Sequence, residues 1–266
     1  MRGCVGGRMP VKHIASRDNA QFRSWLALAE DRQVRRARNQ TVLDGAHLIE
    51  EANRAGIAPV QIILDADSGD PEPWCQRYPD VTVSVLGHTL FKRLTPVATP
   101  TGVLAVIDIP RPARLLEQAC VVMIEDVQDP GNLGALIRTA AAAGVADLLL
   151  SRGCAEAWSP KTLRGGQGGH FRVALHEGID LVEAARRHPG PVYAAALRQS
   201  TSLYSLDLSG YPAFLFGNEG AGLSAAVLAE ATPFSIPMPG AIESLNVVTA
   251  AAVCLFERVR QREVAR

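Results

Sequence analysis

The chain has 266 residues, 47% of them hydrophobic and 20% charged, with 27 basic side chains against 27 acidic ones. That composition belongs to a globular protein of one large domain or two ordinary ones, and it excludes a collagen-like or wholly disordered chain. A formal net charge of zero excludes a uniformly basic nucleic-acid binder but leaves room for local basic surfaces. No uncharged apolar run approaches the roughly 20 residues that span a bilayer, so no membrane partner is expected.

The opening stretch, Met1–Pro10, is glycine-rich and lacks the apolar core of a signal peptide, so residues 1–11 read as a flexible leader. Cys4, Cys75, Cys120, Cys154 and Cys254 are odd in number and scattered. With no C-x-x-C pair or Cys/His cluster, neither a disulfide framework nor a metal site is expected, and a reducing, cytoplasmic compartment is the plain reading.

Residues 12–110 alternate helix-like and strand-like stretches. Phe22, Trp25, Leu26 and Ala29 recur at helical spacing, with Arg32, Arg35, Arg36 and Arg38 continuing the pattern. Thr41–Gly45 predicts a short strand and turn, and Ala46–Ala55 a helix stopped by Gly56. Strands are predicted at Val60–Leu64, Val81–Val85 and Gly102–Ile109, with turn-like punctuation at Asp67–Pro73. Pro110 and Pro112 end this unit, because proline cannot continue a strand ladder.

A second domain is expected over 117–266. Strands are predicted at Cys120–Glu125, Ala146–Leu150, Pro191–Leu197 and Ala213–Phe216. Helices are predicted at Leu133–Ala143, Ile179–Arg187 and Leu245–Arg262. Strands this apolar, separated by helices, predict an α/β fold with a parallel sheet covered on both faces. Ligands of such sheets collect beyond the carboxyl ends of the strands, and three junctions there carry unusual sequence.

The first junction runs from Glu125 through Asp129-Pro-Gly-Asn132-Leu-Gly-Ala-Leu-Ile-Arg138, with Asn132 the expected helix N-cap. Arg138 stands in an otherwise apolar helix. Pairing with Glu125, Asp126 or Asp129 and anion binding at a cleft are both open readings of this segment alone. The second is Leu215-Phe-Gly217-Asn218-Glu219-Gly220-Ala-Gly222-Leu-Ser224, whose glycines permit positive φ and close backbone approach. It is neither G-x-G-x-x-G nor a P-loop, which disfavours dinucleotide and nucleoside triphosphate binding. The third is Ile236-Pro-Met238-Pro-Gly-Ala-Ile-Glu-Ser244-Leu245-Asn246-Val247, where capping of the last helix is the simpler account of Ser244 and Asn246. Two basic groups, the arginines at 32–38 and Lys161, Arg164, His170 and Arg172, each read first as solvated faces.

Taken together, D-P-G-N-L-G-A-x-x-R-T-A, G-N-E-G-x-G-L and I-P-M-P-G-x-x-E-S-L-N-V resemble, in order and spacing, the three signature motifs of the SpoU/TrmH RNA 2′-O-ribose methyltransferases of the SPOUT superfamily. The resemblance covers residues 119–262. It implies a methyltransferase domain with a C-terminal trefoil knot, and a homodimer that uses the final helix. The preceding α/β unit more loosely resembles the substrate-binding domain of such enzymes, although Asp44-Gly45 stands where the family often has Glu-Gly. The resemblance further implies S-adenosylmethionine bound near Leu215, Gly217, Glu219, Ile236, Met238, Leu245 and Asn246. Arg138 becomes the principal catalytic residue, supported by Asn132, Glu219, Ser244 and Asn246. Arg32, Arg35, Arg36, Lys161 and Arg164 become candidates for RNA phosphate contacts. In the segment around Arg164, Gly165 and Gly166 replace a small residue and a serine of the family pattern. The expected substrate is structured RNA, large-subunit ribosomal RNA before transfer RNA. A non-catalytic RNA-binding or assembly factor is the alternative from another class, disfavoured by the intact Asn132, Arg138, Glu219 and Asn246.

Overall fold

The computed structural model describes residues 11–264 except 69, 96, 98–99, 113–117 and 198–200. The leader expected over 1–11 thus lies, apart from Val11, outside the described residues, as does Cys4. The chain forms two compact units. One consists of the described residues of Met1–Pro110 with Trp158–Arg164, the other of those in Arg111–Ala157 and Gly165–Arg266.

The first unit runs β1 (Lys12–Ile14), α1 (Ala20–Glu30), α2 (Arg32–Arg38), β2 (Gln40–Asp44), α3 (Ala46–Arg54), β3 (Gln61–Asp65), α4 (Pro71–Arg77), β4 (Thr82–Leu86), α5 (His88–Leu94) and β5 (Val103–Asp108). Its sheet has the order β1-β4-β3-β5-β2, with β5 antiparallel to both neighbours and the other pairs parallel. The helical spacing of Phe22, Trp25 and Leu28 buries them in one core with Ile63, Phe91 and Leu104. The single helical pattern expected through the arginines is broken at Asp31, whose carboxylate accepts the amides of Gln33 and Val34 and starts a second helix. The turn-like Asp67–Pro73 likewise contains a helix start, with Asp70 as cap and Pro71 in the first turn.

That geometry removes Arg35 from the candidate RNA surface. It is 4% exposed, and its guanidinium donates to the carbonyls of Leu28 and Ala29 at 2.6 and 3.1 Å. These carbonyls end α1, where the last turn lacks intrahelical donors. Within the same unit, Thr41 Oγ1 donates to the Trp158 carbonyl at 2.6 Å, and Arg164 lies 3.8 Å from the buried carboxylate of Asp44.

The second unit runs β6 (Val121–Ile124), α6 (Pro130–Ala142), β7 (Asp147–Leu150), α7 (Pro160–Gly166, whose residues through Arg164 belong to the first unit), β8 (Ala174–Glu177), α8 (Leu181–Arg187), β9 (Val192–Ala195), β10 (Ala213–Phe216), α9 (Ala225–Leu228), β11 (Thr232–Phe234) and α10 (Val247–Val264). Its six strands are ordered β11-β9-β10-β6-β7-β8, and every pairing is parallel. All residues of β6, β7 and β10 are buried, as a sheet covered on both faces requires. The two strands without a sequence counterpart are β8, which carries His176 and Glu177, and β11, three residues with a central proline. Both lie at the sheet's edges, where polar residues and proline are tolerated.

Phe214, fully buried on β10, stacks on Phe216 and meets Phe234 of β11 edge-on, with centroids 6.3 and 6.4 Å away. Burial also raises the thiols of Cys154 and Cys254 and pushes Cys120 up to about 11, so these three stay protonated. Phe214→Ala is expected to lower unfolding free energy by about 3–5 kcal/mol, measured by urea denaturation; a loss under about 1 kcal/mol would contradict this packing.

Candidate active site

The strand order brings the first two junctions together. β6 and β10 are neighbours in register from Val121↔Ala213 to Ile124↔Phe216, so the loops that follow them leave side by side at the carboxyl edge. β6 also marks the place where the strand order reverses, the position at which α/β sheets bind ligands.

After β6 the acidic residues are each engaged. Glu125 accepts the amide and the hydroxyl of Ser224 at 2.7 Å each. The backbone amide of Asp126 and its carboxylate both meet the Ser151 hydroxyl. Asp129 caps α6, accepting the amide of Asn132 at 2.7 Å. The cap is therefore Asp129 rather than Asn132, because Pro130 fits the first helical position and the cap precedes it. Displaced inward by one turn, the Asn132 side chain is free for other bonds.

The loop after β10 folds into a tight hairpin. Asn218 and Gly222 exchange backbone hydrogen bonds of 3.2 and 2.9 Å, while the Asn218 side chain accepts the amides of Gly220 and Ala221. Gly222 has φ +72°. Gly217 leaves no room for a side chain, since a Cβ there would lie 2.4 Å from the Gly222 carbonyl. The hairpin presents Glu219, which accepts from Asn132 Nδ2 at 2.6 Å. Asn132 Oδ1 in turn accepts from Asn246 Nδ2 at 3.2 Å. One residue from each junction thus joins a single chain of hydrogen bonds, Asn246 to Asn132 to Glu219. Asn246 also caps α10, its Oδ1 accepting the Val248 amide at 2.9 Å, so capping and site-building coexist in one side chain.

The other sequence candidates fall in different places. Arg138 is exposed on α6; the three carboxylates considered as its partners are spent elsewhere, and among the described residues none pairs with it. The Leu215 side chain is 0% exposed, in the cluster with Val121, Met123 and Val227, which leaves its main chain as the part that can meet a ligand. Ile236, Met238 and Leu245 are half-buried and available, and Ser244 is exposed. Arg36 and Lys161 are exposed and Arg32 is half-buried, whereas Arg164 faces the Asp44 carboxylate. Sequence reasoning assigned no site role to Glu125, Asp126 or Asn218; the Asn-x-Gly turn was the one available signal.

The glycines that end α7 and follow it seat α6. Cβ atoms at Gly165 and Gly169 would lie 3.2 Å from the Gly131 carbonyl and 2.9 Å from the Arg138 Cα, so only glycines allow this approach. At Gly166, the space of a side chain is filled by the His170 ring, 2.3 Å from the Cβ position. His170 is 2% exposed and donates through Nε2 to the Ala157 carbonyl at 2.8 Å; burial lowers its pKa to about 4. In the first unit, ligand atoms of Asp65, Asp67 and His88 lie within 4.8 Å of one another, but His88 Nδ1 and the Asp67 amide already occupy the Asp65 carboxylate.

Neither the 215–224 nor the 236–246 segment contains a Lys or Arg, while each carries a glutamate. Two loops of backbone groups, apolar side chains and acidic charge, joined through Asn132, suit a ligand that is part apolar and part cationic. Residues 119–256, which include all three junctions, match the model of the SpoU rRNA methylase family. The chain belongs to that family. Among relatives, the 23S rRNA (guanosine(2553)-2′-O)-methyltransferase RlmP of Bacillus subtilis is 34% identical over 253 residues, 92% of this chain and 98% of its own. A solved structure of an RNA 2′-O ribose methyltransferase is 29% identical with a TM-score of 0.81, covering 94% of this chain and 99% of its own. The AdoMet-bound rRNA methyltransferase of Sinorhizobium meliloti is 25% identical with a TM-score of 0.82, covering 94% and 98%.

S-adenosylmethionine, a sulfonium cation whose adenine has apolar faces and a hydrogen-bonding edge, matches the charge and the apolar and backbone groups of these two segments. Gly217→Ala is expected to weaken S-adenosylmethionine binding at least 10-fold by calorimetry, because the hairpin must open to admit the methyl group. His170 gives a pH signature. Its folded pKa lies below the ordinary 6.5, so the unfolded chain takes the proton first and stability is lost as pH falls from about 6.5 towards 4. Between pH 7.5 and 5 this amounts to about 2 kcal/mol, a share that should vanish in His170→Gln when both are unfolded in urea.

Proposed function

We propose that this protein is an S-adenosylmethionine-dependent RNA 2′-O-methyltransferase acting on large-subunit ribosomal RNA. The observation that carries the reading is the hydrogen-bonded chain Asn246–Asn132–Glu219, which ties all three junctions into one site and which a pure binding module has no need of. The ribosomal preference follows the named activities of the relatives, RlmP among them.

S-adenosylmethionine, when bound, supplies an activated methyl and a thioether leaving group. Backbone groups of Gly217, Ile236 and Leu245 would hold it, with Met238 against the adenine and Leu215, Glu219 and Asn246 close by. What the chain must add is orientation of a ribose 2′-hydroxyl and help in losing its proton. Arg138, exposed and without a carboxylate partner among the described residues, clamps an RNA phosphate beside that ribose and lowers the hydroxyl's pKa through its charge, so that the proton can pass to solvent water. A guanidinium is too weak an acid to serve readily as a base, so the role is electrostatic. Asn132, held between Glu219 and Asn246, offers its amide to the ribose, and Ser244 supports the loop around it.

The remaining features of the reading are structural. The last loop threads as a trefoil knot, supported by family membership and by Asn246 lying against the first turn of α6. The enzyme is a cytoplasmic homodimer whose α10 takes part in the interface, supported by Phe256, 48% exposed on that helix. The first unit binds RNA through exposed Arg36 and half-buried Arg32, with Lys161 beside them in sequence role and Arg164 held by Asp44. No helix among the described residues is long and apolar enough to cross a membrane.

Arg138→Ala is expected to cut methyl transfer to ribosomal RNA by at least 100-fold while S-adenosylmethionine affinity stays within about 3-fold. Radiolabelled methyl incorporation and calorimetry check both halves. Turnover near the wild-type rate would refute the role, and absence of 2′-O-methylation by the wild type on large-subunit RNA, with transfer onto transfer RNA instead, would refute the substrate.

A further inference from the structure

Asp126, the residue after Glu125, has φ +55°, in the left-handed region that non-glycine residues seldom occupy. Aspartate tolerates this conformation better than most side chains because it can bond locally, and here the bonds are visible. Its amide donates to Ser151 Oγ at 2.9 Å, and the same hydroxyl donates to its carboxylate. Its carbonyl, turned by the left-handed backbone, accepts from Asn218 Nδ2 at 2.9 Å. Asn218 is the residue whose side chain organises the hairpin carrying Glu219. Gly153 completes the arrangement: a Cβ there would lie 2.2 Å from the Asp126 carboxylate oxygen, so the loop after β7 leaves room for that carboxylate and nothing larger.

We infer that Asp126 is a positioning residue for the cofactor hairpin, holding residues 217–222 in place through Asn218 while Ser151 and Gly153 keep Asp126 in its left-handed turn. Glu125 and Asp126 then suspend both ends of the hairpin from one strand end, Glu125 by its side chain at Ser224 and Asp126 by its main chain at Asn218. The inference rests on the reading of this hairpin as the S-adenosylmethionine site. The hydrogen bonds of Asp126 run to Ser151 and to Asn218, so its effect on the site is carried by the hairpin.

The test measures S-adenosylmethionine dissociation constants by calorimetry, with KM and kcat for methyl transfer, in the full chain. Asp126→Ala keeps the unfavourable backbone and loses the Ser151 bond; it should raise the dissociation constant and the cofactor KM about 10-fold, with kcat at saturation within about 3-fold. Asp126→Asn, which retains left-handed preference and a bond to Ser151, should restore affinity to within about 2-fold of wild type. Gly153→Ala reaches the same contact from the other side and should reproduce the Asp126→Ala profile, which keeps the test informative if either variant folds poorly. Wild-type affinity in both Asp126→Ala and Gly153→Ala, or a fall in kcat with unchanged cofactor KM, overturns the inference. Failure of the wild type itself to bind S-adenosylmethionine would instead overturn the underlying assignment of the site.

Discussion

Two short parallel strands that stop at the same level organise the second unit. Because Ile124 and Phe216 are register partners, the chain turns out of β6 and β10 within one strand spacing, about 4.8 Å, of itself. Glu125 can therefore reach Ser224, and the Asp126 carbonyl can reach Asn218, although 99 and 92 residues separate them in sequence. Hydrogen bonds over such separations hold only because the buried faces of both strands fix where the loops begin. The chemistry at the edge is thus referred back to an apolar constraint beneath it, in which Phe214 and Leu215 are wholly enclosed.

The arrangement also divides labour between rigid and accessible groups. Backbone-to-side-chain bonds around Asn218 and Asp129 set loop geometry, and the chain from Asn246 to Glu219 ties three loops together. Arg138 remains exposed, with no ion pair among the described residues, which is the state the proposed phosphate contact requires. A buried, paired guanidinium would have to break an existing bond to meet a phosphate. Arg35 illustrates the opposite case, since its bonds to the end of α1 make it part of the scaffold.

Much of this was legible in the residues. Alternation of apolar strands with helices marked the parallel sheet, and Ala213–Phe216 was delimited to the residue by the proline before it and the glycine after it. The motifs named Asn132, Glu219 and Asn246, though only the fold could show that they touch. What was hidden has physical causes. A run of arginines looks like a basic face until helical phase turns Arg35 inward. Pro130 was an available sign that the cap of α6 precedes it, outweighed by Asn132's own capping preference. Motif position does not say which way a strand side chain points, so the burial of the Leu215 side chain was not legible. The left-handed turn at Asp126 leaves no trace in composition, since aspartate is common in every loop.

The hydrogen bond between Asn246 and Asn132 spans 114 residues, and the segment that supplies Asn246 comes after every described strand in chain order. Contacts so distant form late, after the entropy of closing a long loop has been met. β6, α6 and β7 can therefore pack first, yet the centre stays incomplete until the segment carrying Asn246 meets the first turn of α6. Without that last contact the sheet can be in place while Asn132 is joined to Glu219 alone, so assembly of the centre reports docking of the final loop.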